Sequence, residues 1–550
     1  MRFSNNSCRL GRAFIAFSFA SCFISDIYAQ VDYPRPCWVF YTQKHEYRPT
    51  PISSRARERR ISRSTLTDFS LYDTPPSLEQ TKLIEAMGGR IRVVSRWLNA
   101  VSVEADSLTL RRIAGLPFVA KIAPVSSSTL KPLLPDDLIY LAPGKTPFFD
   151  YGPSYAQDSM LAIDSLHNAG LSGLGVVIGI MDTGFDTSLA AFAAMRAEDR
   201  IIATHDFING DDDVMDLWDN QRSHGTAVFS VLGGFDEGFL IGPAYGAEYI
   251  LAKTEIYNDE VRAEEDYWVA AAEWMESLGV DIISSSVGYT DWYDTTQLDG
   301  NTPVITRAAD IAAGLGVIVV NSAGNEGNAF WRKIIPPADG DSVIAVGGVD
   351  RSGAILSFSS RGPTADGRIK PDFCALGNAV FHANYVGGYA TSSGTSFAAP
   401  LIAGGIALLL EGHPDWDYYD IRSALRQASD HSSLPNNQYG WGVPNLVDAF
   451  GRQPYRPSGL IAVSVAPHPA VDSVVFYLKL PGAGESVLSV HDVSGAVVRE
   501  WTFRVGAAAF LVHVWDGHND AGNQVASGIY ICILKSGGDV VREKLAYLVR

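Results

Sequence analysis

The spacing of apolar and polar residues changes character twice along the chain. In the first part, "CWVFYTQKHEYRPT" is strand-like, "GRIRVVSRWLNAVSVEA" alternates like one strand, and "PFVAKIAPV" returns as another. Between the last two, "DSLTLRRIAGL" has a helical period, with Asp106 as its cap. These elements predict a small βαβ unit. From Tyr151 the strands become continuous apolar runs: "GVVIGIMD", "EYILAKTEI", "VDIISSSVG", "VIVVNSAGN" and "DSVIAVGGVD". Helical stretches such as "EEDYWVAAAEWMESLG", "TPVITRAADIAAGLG" and "IAGGIALLLEGHP" separate or follow them. Apolar strands alternating with helices predict a parallel sheet covered on both faces. After Pro454 the helices stop. "SVVFYLKLPG", "ESVLSVHDVSG", "AAFLVHVWDG" and "SGIYICILKSGG" are strands divided by Gly, Asp and Asn turns, which predicts a β-sandwich.

At 550 residues the chain is too long for one core. Four segments are expected: 1–29, 30–145, 146–453 and 454–550. The first carries Arg2, Arg9 and Arg12 before an apolar run from Ala13 to Ile24, with "IYA" before Gln30. It reads as a secretory signal peptide; the run is too short for a membrane span, and a lipidated Cys22 is the weaker alternative. Five cysteines, two of them in that segment, make neither a disulfide framework nor a metal cluster. A net charge of −18 argues against nucleic acid as a partner. The stretch "SSRARERRISRS", with Arg55, Arg57, Arg59, Arg60 and Arg63, is expected to be a solvated basic helix face.

In open parallel sheets chemistry collects at the carboxyl ends of strands. Asp182, Ser286 and Asn325 occupy such ends, His224 lies in "SHGTAVFSVLGG", and Ser396 lies in "SSGTSFAAPLIAG". Each has a plain structural explanation as a turn, cap or left-handed residue. Together they match the needs of a serine nucleophile: an imidazole base, a carboxylate to orient it, and donors for the oxyanion.

The signatures "IMDTGFD", "SHGTAV", "NSAGNEG" and "SSGTSFAAPLIAG", in this order, resemble those of the subtilisin-like serine peptidases. The resemblance covers residues 150–453. It implies an α/β fold, a subtilisin-like parallel sheet with helices on both faces. Asp182 would orient, His224 would act as general base and acid, Ser396 as nucleophile and Asn325 as oxyanion donor. It implies a secreted endopeptidase of broad specificity whose substrates are proteins or peptides. Two positions depart from the family pattern: Ala227 stands where a second histidine is usual, and Phe397 where a methionine is usual. The resemblance gives Ser286, Val287, Gly288 and Gly324 to substrate binding. Glu326 either reaches the first pocket, favouring a basic or polar side chain, or points to solvent.

No cofactor is required for this chemistry. Structural calcium is frequent in the family, and Asp211, Asp213 and Gln157 are candidate ligands. The run "INGDDDVMDLWDN", which adds Asp212, Asp216 and Asp219, reads more readily as a solvated acidic loop, since it lacks a calcium-loop grammar. Segment 30–145 resembles the family's prodomain, an intramolecular folding aid and inhibitor. Segment 454–550 resembles the FlgD-like, immunoglobulin-type module. Its relative, the type IX sorting domain, would make secretion machinery a partner; a spacer is the alternative. A non-catalytic peptide binder on the same fold and a cell-surface adhesin stay open as other classes. The adhesin leaves the pairing of His224 with Ser396 unexplained.

Overall fold

The structure is a computed structural model of the 550-residue chain. It describes residues 34–452 and 462–548, apart from 43, 45–48, 64–71, 125–126, 129–147, 217–219, 258–259, 262, 291, 467–469, 472–473, 481–483, 493–494, 506–508 and 537–538. The expected signal peptide, most of the link after the first unit, and Asp219 lie outside the described residues.

The N-terminal unit has strands β1 (Arg35–Tyr41), β2 (Arg90–Ser95), β3 (Ala100–Ala105) and β4 (Val119–Pro124). Its helices are α1 (Ser54–Arg63), α2 (Leu78–Ala86) and α3 (Ser107–Ala114). The sheet is antiparallel in the order β2-β3-β1-β4, a split βαβ arrangement larger than the unit expected. The single strand read over residues 89–105 is two. The chain reverses at Trp97–Asn99, where Asn99 takes φ 49°, a conformation asparagine tolerates. Period-two alternation then divides the sheet's faces. Val39, Tyr41, Val101 and Val103 pack with Ile84 and Ile113 of the unit's own helices. Trp38 and Phe40 face the other way and join the core of the central unit.

That central unit is built on β5 (Val177–Asp182), β6 (Ile201–Asp206), β7 (Glu248–Lys253), β8 (Ile282–Ser285), β9 (Ile318–Ser322), β10 (Val343–Val349) and β11 (Phe373–Leu376). All neighbours are parallel, in the order β11-β10-β9-β8-β5-β7-β6. One face carries α4 (Ser223–Gly233) and α7 (Thr395–Gly412) over a core that includes Ile178, Ile180, Val320 and Val346. The other carries α5 (Ala263–Leu278) and α6 (Val304–Gly314) over Val177, Ile283 and Val319. Helix α7 is apolar all round because it is buried all round: every residue from Thr395 to Leu410 is inside.

Trp38, Phe40, Trp97 and Leu98 of the first unit share one core with Trp268, Met275 and Ile305 of α5 and α6. The basic helix α1 departs from the sequence reading. Arg59, Arg60 and Arg63 are not solvated but buried, paired with carboxylates more than two hundred positions away or beyond the helix.

Beyond residue 461 the regular elements among the described residues are all strands. A three-stranded and a five-stranded sheet surround their own core of Val474, Phe476, Leu488, Trp515, Cys532 and Tyr547.

Candidate active site

Asp182 ends β5, fully buried, and its carboxylate faces the first turn of α4. His224 is the second residue of that helix, and its Nδ1 lies 2.7 Å from Asp182 Oδ1 and 3.0 Å from Oδ2. The Thr183 N–H and hydroxyl also donate to Oδ1, at 2.7 and 3.2 Å, fixing the carboxylate from the side. The approach of α4 depends on Gly225. A Cβ there would overlap the Gly184 carbonyl oxygen and stand 3.0 Å from Asp182 Cβ. A carboxylate on Nδ1 leaves Nε2 to face the opposite direction.

Burial works against a charged imidazole at His224. The charge and hydrogen bond of Asp182 outweigh it, Glu255 adds to the pull, and the histidine holds its proton above the ordinary range.

Ser396 is the second residue of α7, which starts after Gly394. The first N–H groups of a helix have no partner within it, so the Ser396 amide is a donor at the mouth of the site. Its hydroxyl donates to the Ser286 carbonyl at 3.2 Å and makes no bond to His224. In return, Ser286 Oγ donates to the Ser396 carbonyl at 2.8 Å. Pro400 explains why that carbonyl is available. In an α-helix the N–H of residue 400 would bond to it, and proline has none.

Asn325 lies just beyond β9. Its Oδ1 accepts from Thr395 N at 2.9 Å and Thr395 Oγ1 at 3.1 Å. With the oxygen so held, the amide NH₂ is turned the other way, beside the start of α7. Gly324 supplies the turn: its φ is +102°, and a Cβ would stand 2.9 Å from Ser360 Oγ and from Ile335 Cγ2. Its N–H donates to Thr395 Oγ1 at 3.2 Å.

Ser286, Val287 and Gly288 follow β8 directly, outside any regular element. The Val287 carbonyl accepts from Asn321 Nδ2 at 3.0 Å, and Gly288 packs against Ile335 and Pro336 too closely for a side chain. Glu326 is half-buried, its N–H donating to Ser360 Oγ at 2.9 Å. Phe397 lies between two imidazoles, its ring centroid 6.0 Å from that of His224 and 5.4 Å from that of His382. Ala227 is buried in the core of α4.

The metal candidates have protein partners of their own. Gln157 uses both ends of its amide on the backbone of Phe381, at 2.9 and 3.2 Å. Asp211 and Asp213 cap their own loop, bonding Asp213 N and Met215 N. Asp216 pairs with Lys253 at 3.1 Å. Among the described residues no group of three or more His, Cys, Asp or Glu side chains is arranged around a metal position.

Sequence reading missed Glu255 and His382. Glu255 is two residues past β7, the strand paired with β5, where Lys253 stands opposite Asp182. The rule that singled out Asp182 therefore applied to it. Its N–H lies 3.4 Å from the Asp182 carbonyl, and its Oε1 accepts from Tyr289 at 2.7 Å and Thr254 at 3.0 Å. Burial pushes its carboxyl well above the usual carboxylate range. His382 is kept neutral by burial, its Nδ1 bonded to the Ala383 carbonyl at 2.9 Å. It stands on a hairpin that runs straight into "SSGTSFAAPLIAG", and its Nε2 lies 2.9 Å from Ser392 Oγ at the head of that signature; the residue itself carries no local signature.

Comparison with known proteins places this geometry in context. Residues 173–442 match the model of the subtilase family, Peptidase S8, and residues 36–134 match the Peptidase S8 propeptide domain of Bacteroidota. Serine protease AprX of Bacillus subtilis is 30% identical over 316 residues, 52% of this chain and 68% of that protein. Subtilisin E of the same species is 25% identical over 373 residues, 67% of this chain and 85% of that protein. Subtilisin-like protease SBT6.1 of Arabidopsis thaliana is 27% identical over 321 residues; the matched part covers 56% of this chain and only 29% of that longer protein.

Proposed function

The chain belongs to the subtilase family of serine proteases, with a propeptide domain ahead of the protease domain, and from that premise we propose a secreted endopeptidase acting through Asp182, His224, Ser396 and Asn325. The observation that carries the reading is the Asp182–His224 pair, with Nδ1 held at 2.7 Å and the imidazole 6.0 Å from the ring of Phe397, which follows Ser396 in the first turn of a buried helix. In the proposed mechanism the Ser396 hydroxyl turns from the Ser286 carbonyl toward His224 Nε2. The imidazole takes its proton as the oxygen attacks the scissile carbonyl, and Asp182 stabilises the imidazolium. The new oxyanion meets the Ser396 N–H and the Asn325 amide. His224 then returns the proton to the leaving amine, and water repeats the sequence to free the acyl group.

The segment Ser286–Gly288 would pair with an extended substrate main chain. Main-chain pairing is indifferent to side chains, which supports broad specificity. The docked N-terminal unit supports inhibition by the prosegment until it is cut away. Export rests on the N-terminal segment read as a signal peptide. Attachment or sorting rests on the C-terminal sheets. A fluorophosphonate probe tests the mechanism. It should label Ser396 in the folded, prosegment-free chain, which should also digest casein. No labelling in a chain that retains native circular dichroism would overturn the reading in favour of a non-catalytic peptide binder.

A further inference from the structure

The basic helix α1 is seated at the end of the sheet opposite the catalytic residues. Asp281 and Val177 mark the amino ends of β8 and β5, whose carboxyl ends lead to Ser286 and Asp182. Six strand residues separate the two ends by roughly 20 Å. Helix α5 finishes there too, so its last carbonyls and the negative end of its dipole face the same spot.

Four arginines of α1 fill that place. Arg60 forks onto Glu276, with Nε at 2.9 Å from Oε1 and Nη2 at 2.7 Å from Oε2, while its outer face takes both oxygens of Asp73 at 2.8 and 2.9 Å. Arg59 donates to Glu276 Oε1 and to the Val280 carbonyl. Arg63 reaches Asp281 Oδ1 at 2.9 Å and the Pro414 carbonyl at 2.8 Å. Arg55 reaches the other Asp281 oxygen, the Gly279 carbonyl at 3.1 Å and the Gly175 carbonyl at 2.7 Å. Glu276 is fully buried and Arg60 is 1% exposed. Gly279, at φ +102°, is bare for this reason. A Cβ would stand 2.8 Å from Arg55 Cβ and 2.9 Å from Ala56 N.

A buried carboxylate such as Glu276 is tolerated only with partners. Its guanidinium partners all come from the N-terminal unit: Arg59, Arg60 and Arg96. Planar, bidentate recognition of this kind suits arginine and not lysine. We propose that Glu276, Asp281 and the carbonyls closing α5 form an arginine-binding exosite on the protease domain, remote from the cleft. Its occupant in the precursor is α1, and the exosite sets how long the prosegment stays bound after the chain is cut. Cleavage then frees the cleft end of the prosegment first, while α1 holds the far end. Once α1 leaves, the exosite is a pocket for an arginine-rich helix.

The inference rests on the N-terminal unit being a prosegment that is cut away, so its test avoids catalysis. In the full chain carrying Ser396→Ala, a recognition site for a foreign protease is placed between residues 134 and 147. After cutting, dissociation of the two parts is followed by gel filtration and by biolayer interferometry. The double variant R59Q/R60Q, and separately E276Q, should weaken the complex by about 100-fold, chiefly through faster dissociation. The parent complex should survive molar salt, because buried pairs are poorly screened. R63Q, at the end of α1, tests the same contact if the double variant does not fold, and should speed dissociation about tenfold. Dissociation within threefold of the parent in variants with native circular dichroism would overturn the proposal. It would do so without bearing on whether Ser396 is a nucleophile.

Discussion

Ser286 and Ser396 hold each other by two hydrogen bonds, each hydroxyl donating to the other's carbonyl, at 2.8 and 3.2 Å. Pro400 makes half of this possible by leaving the Ser396 carbonyl without its helical donor. The arrangement ties the segment after β8 to the first turn of α7. It also gives Ser396 the orientation from which its hydroxyl would turn toward His224 in the proposed mechanism. Ser286→Ala should leave a buried carbonyl unsatisfied and cost about 1–3 kcal/mol of stability. In a Pro400→Ala background, where residue 400 regains its N–H, the same change should cost less. Chemical denaturation of the four chains as a double-mutant cycle, all in Ser396→Ala form to prevent self-digestion, measures the coupling. Zero coupling would separate the proline from the serine pair.

Ser396→Ala should reduce turnover by on the order of 10⁶-fold, leaving the residue of catalysis that binding and oxyanion donors supply. If prosegment removal is autocatalytic, the same variant should accumulate with residues 36–134 still attached. Intact-mass analysis of parent and variant, expressed side by side, checks both points. Identical N-termini would assign the cut to an external enzyme.

Asn325→Ala should lower kcat by about 10²–10³ with KM nearly unchanged, because its amide would meet charge only as it develops. Steady-state kinetics on a peptide anilide separate the two constants. A loss confined to KM would make Asn325 a binding residue. Thr395, whose N–H and hydroxyl hold the Asn325 oxygen, predicts a milder effect of the same kind for Thr395→Val.

Much of this could be read from the chain, and the reasons differ by residue. Asp182 follows an unbroken apolar strand, so period and position were enough to place it at the end of a parallel sheet. His224, Asn325 and Ser396 stand in short stretches of small residues, and at Gly225 and Gly324 the tight packing explains why. Arg57 is exposed, as a solvated basic face requires, but Arg59, Arg60 and Arg63 depart from that reading because a basic run with few apolar neighbours looks solvated. Their burial depends on Glu276 and Asp281, whose positions only the folded sheet brings near. The split of residues 89–105 into two strands hinged on one left-handed asparagine. Glu255 was legible by the strand-end rule and passed over because a Lys-Thr-Glu sequence carries no local signature.

Glu255 should shape the pH profile. The proposed mechanism requires a neutral His224, so kcat/KM should fall as pH drops through the histidine's pKa. That pKa is held above the ordinary value of about 6.5, burial opposing the charge while Asp182 and Glu255 favour it. The groups around the pair are Asp182, Glu255 with its donor Tyr289, and the neutral His382 across Phe397. Glu255→Gln removes one negative charge, so the acid limb should move to lower pH with little change in the plateau. Because Glu255 itself titrates above the usual carboxylate range and loses its charge as pH falls, its support for the imidazolium fades along the limb, and the parent limb should be broader than that of the variant. A kcat/KM profile between pH 4 and pH 9, on a neutral substrate, distinguishes this from a packing role. A packing role would lower the plateau and leave the limb in place.

The C-terminal sheets should be dispensable for peptide hydrolysis. Their core, from Val474 to Tyr547, contains only residues of their own strands. The protease core, by contrast, closes with Leu446 and Ala449, before the sheets begin. Among the described residues, a chain ending at Arg452 therefore keeps the apolar residues that share a core with α4 and α7, together with all four proposed catalytic residues. Its kcat/KM should lie within about threefold of the full chain, and its melting temperature should change by a few degrees at most, since contacts between units of one chain are usually limited and polar. Both are read on the purified, prosegment-free proteins by peptide hydrolysis and by calorimetry with the site blocked by a fluorophosphonate. A loss of kcat at a temperature where the shortened chain is still folded would show that the sheets support the site. Full activity, with failure to reach the medium or the surface of the native host, would instead give them the task of export or attachment.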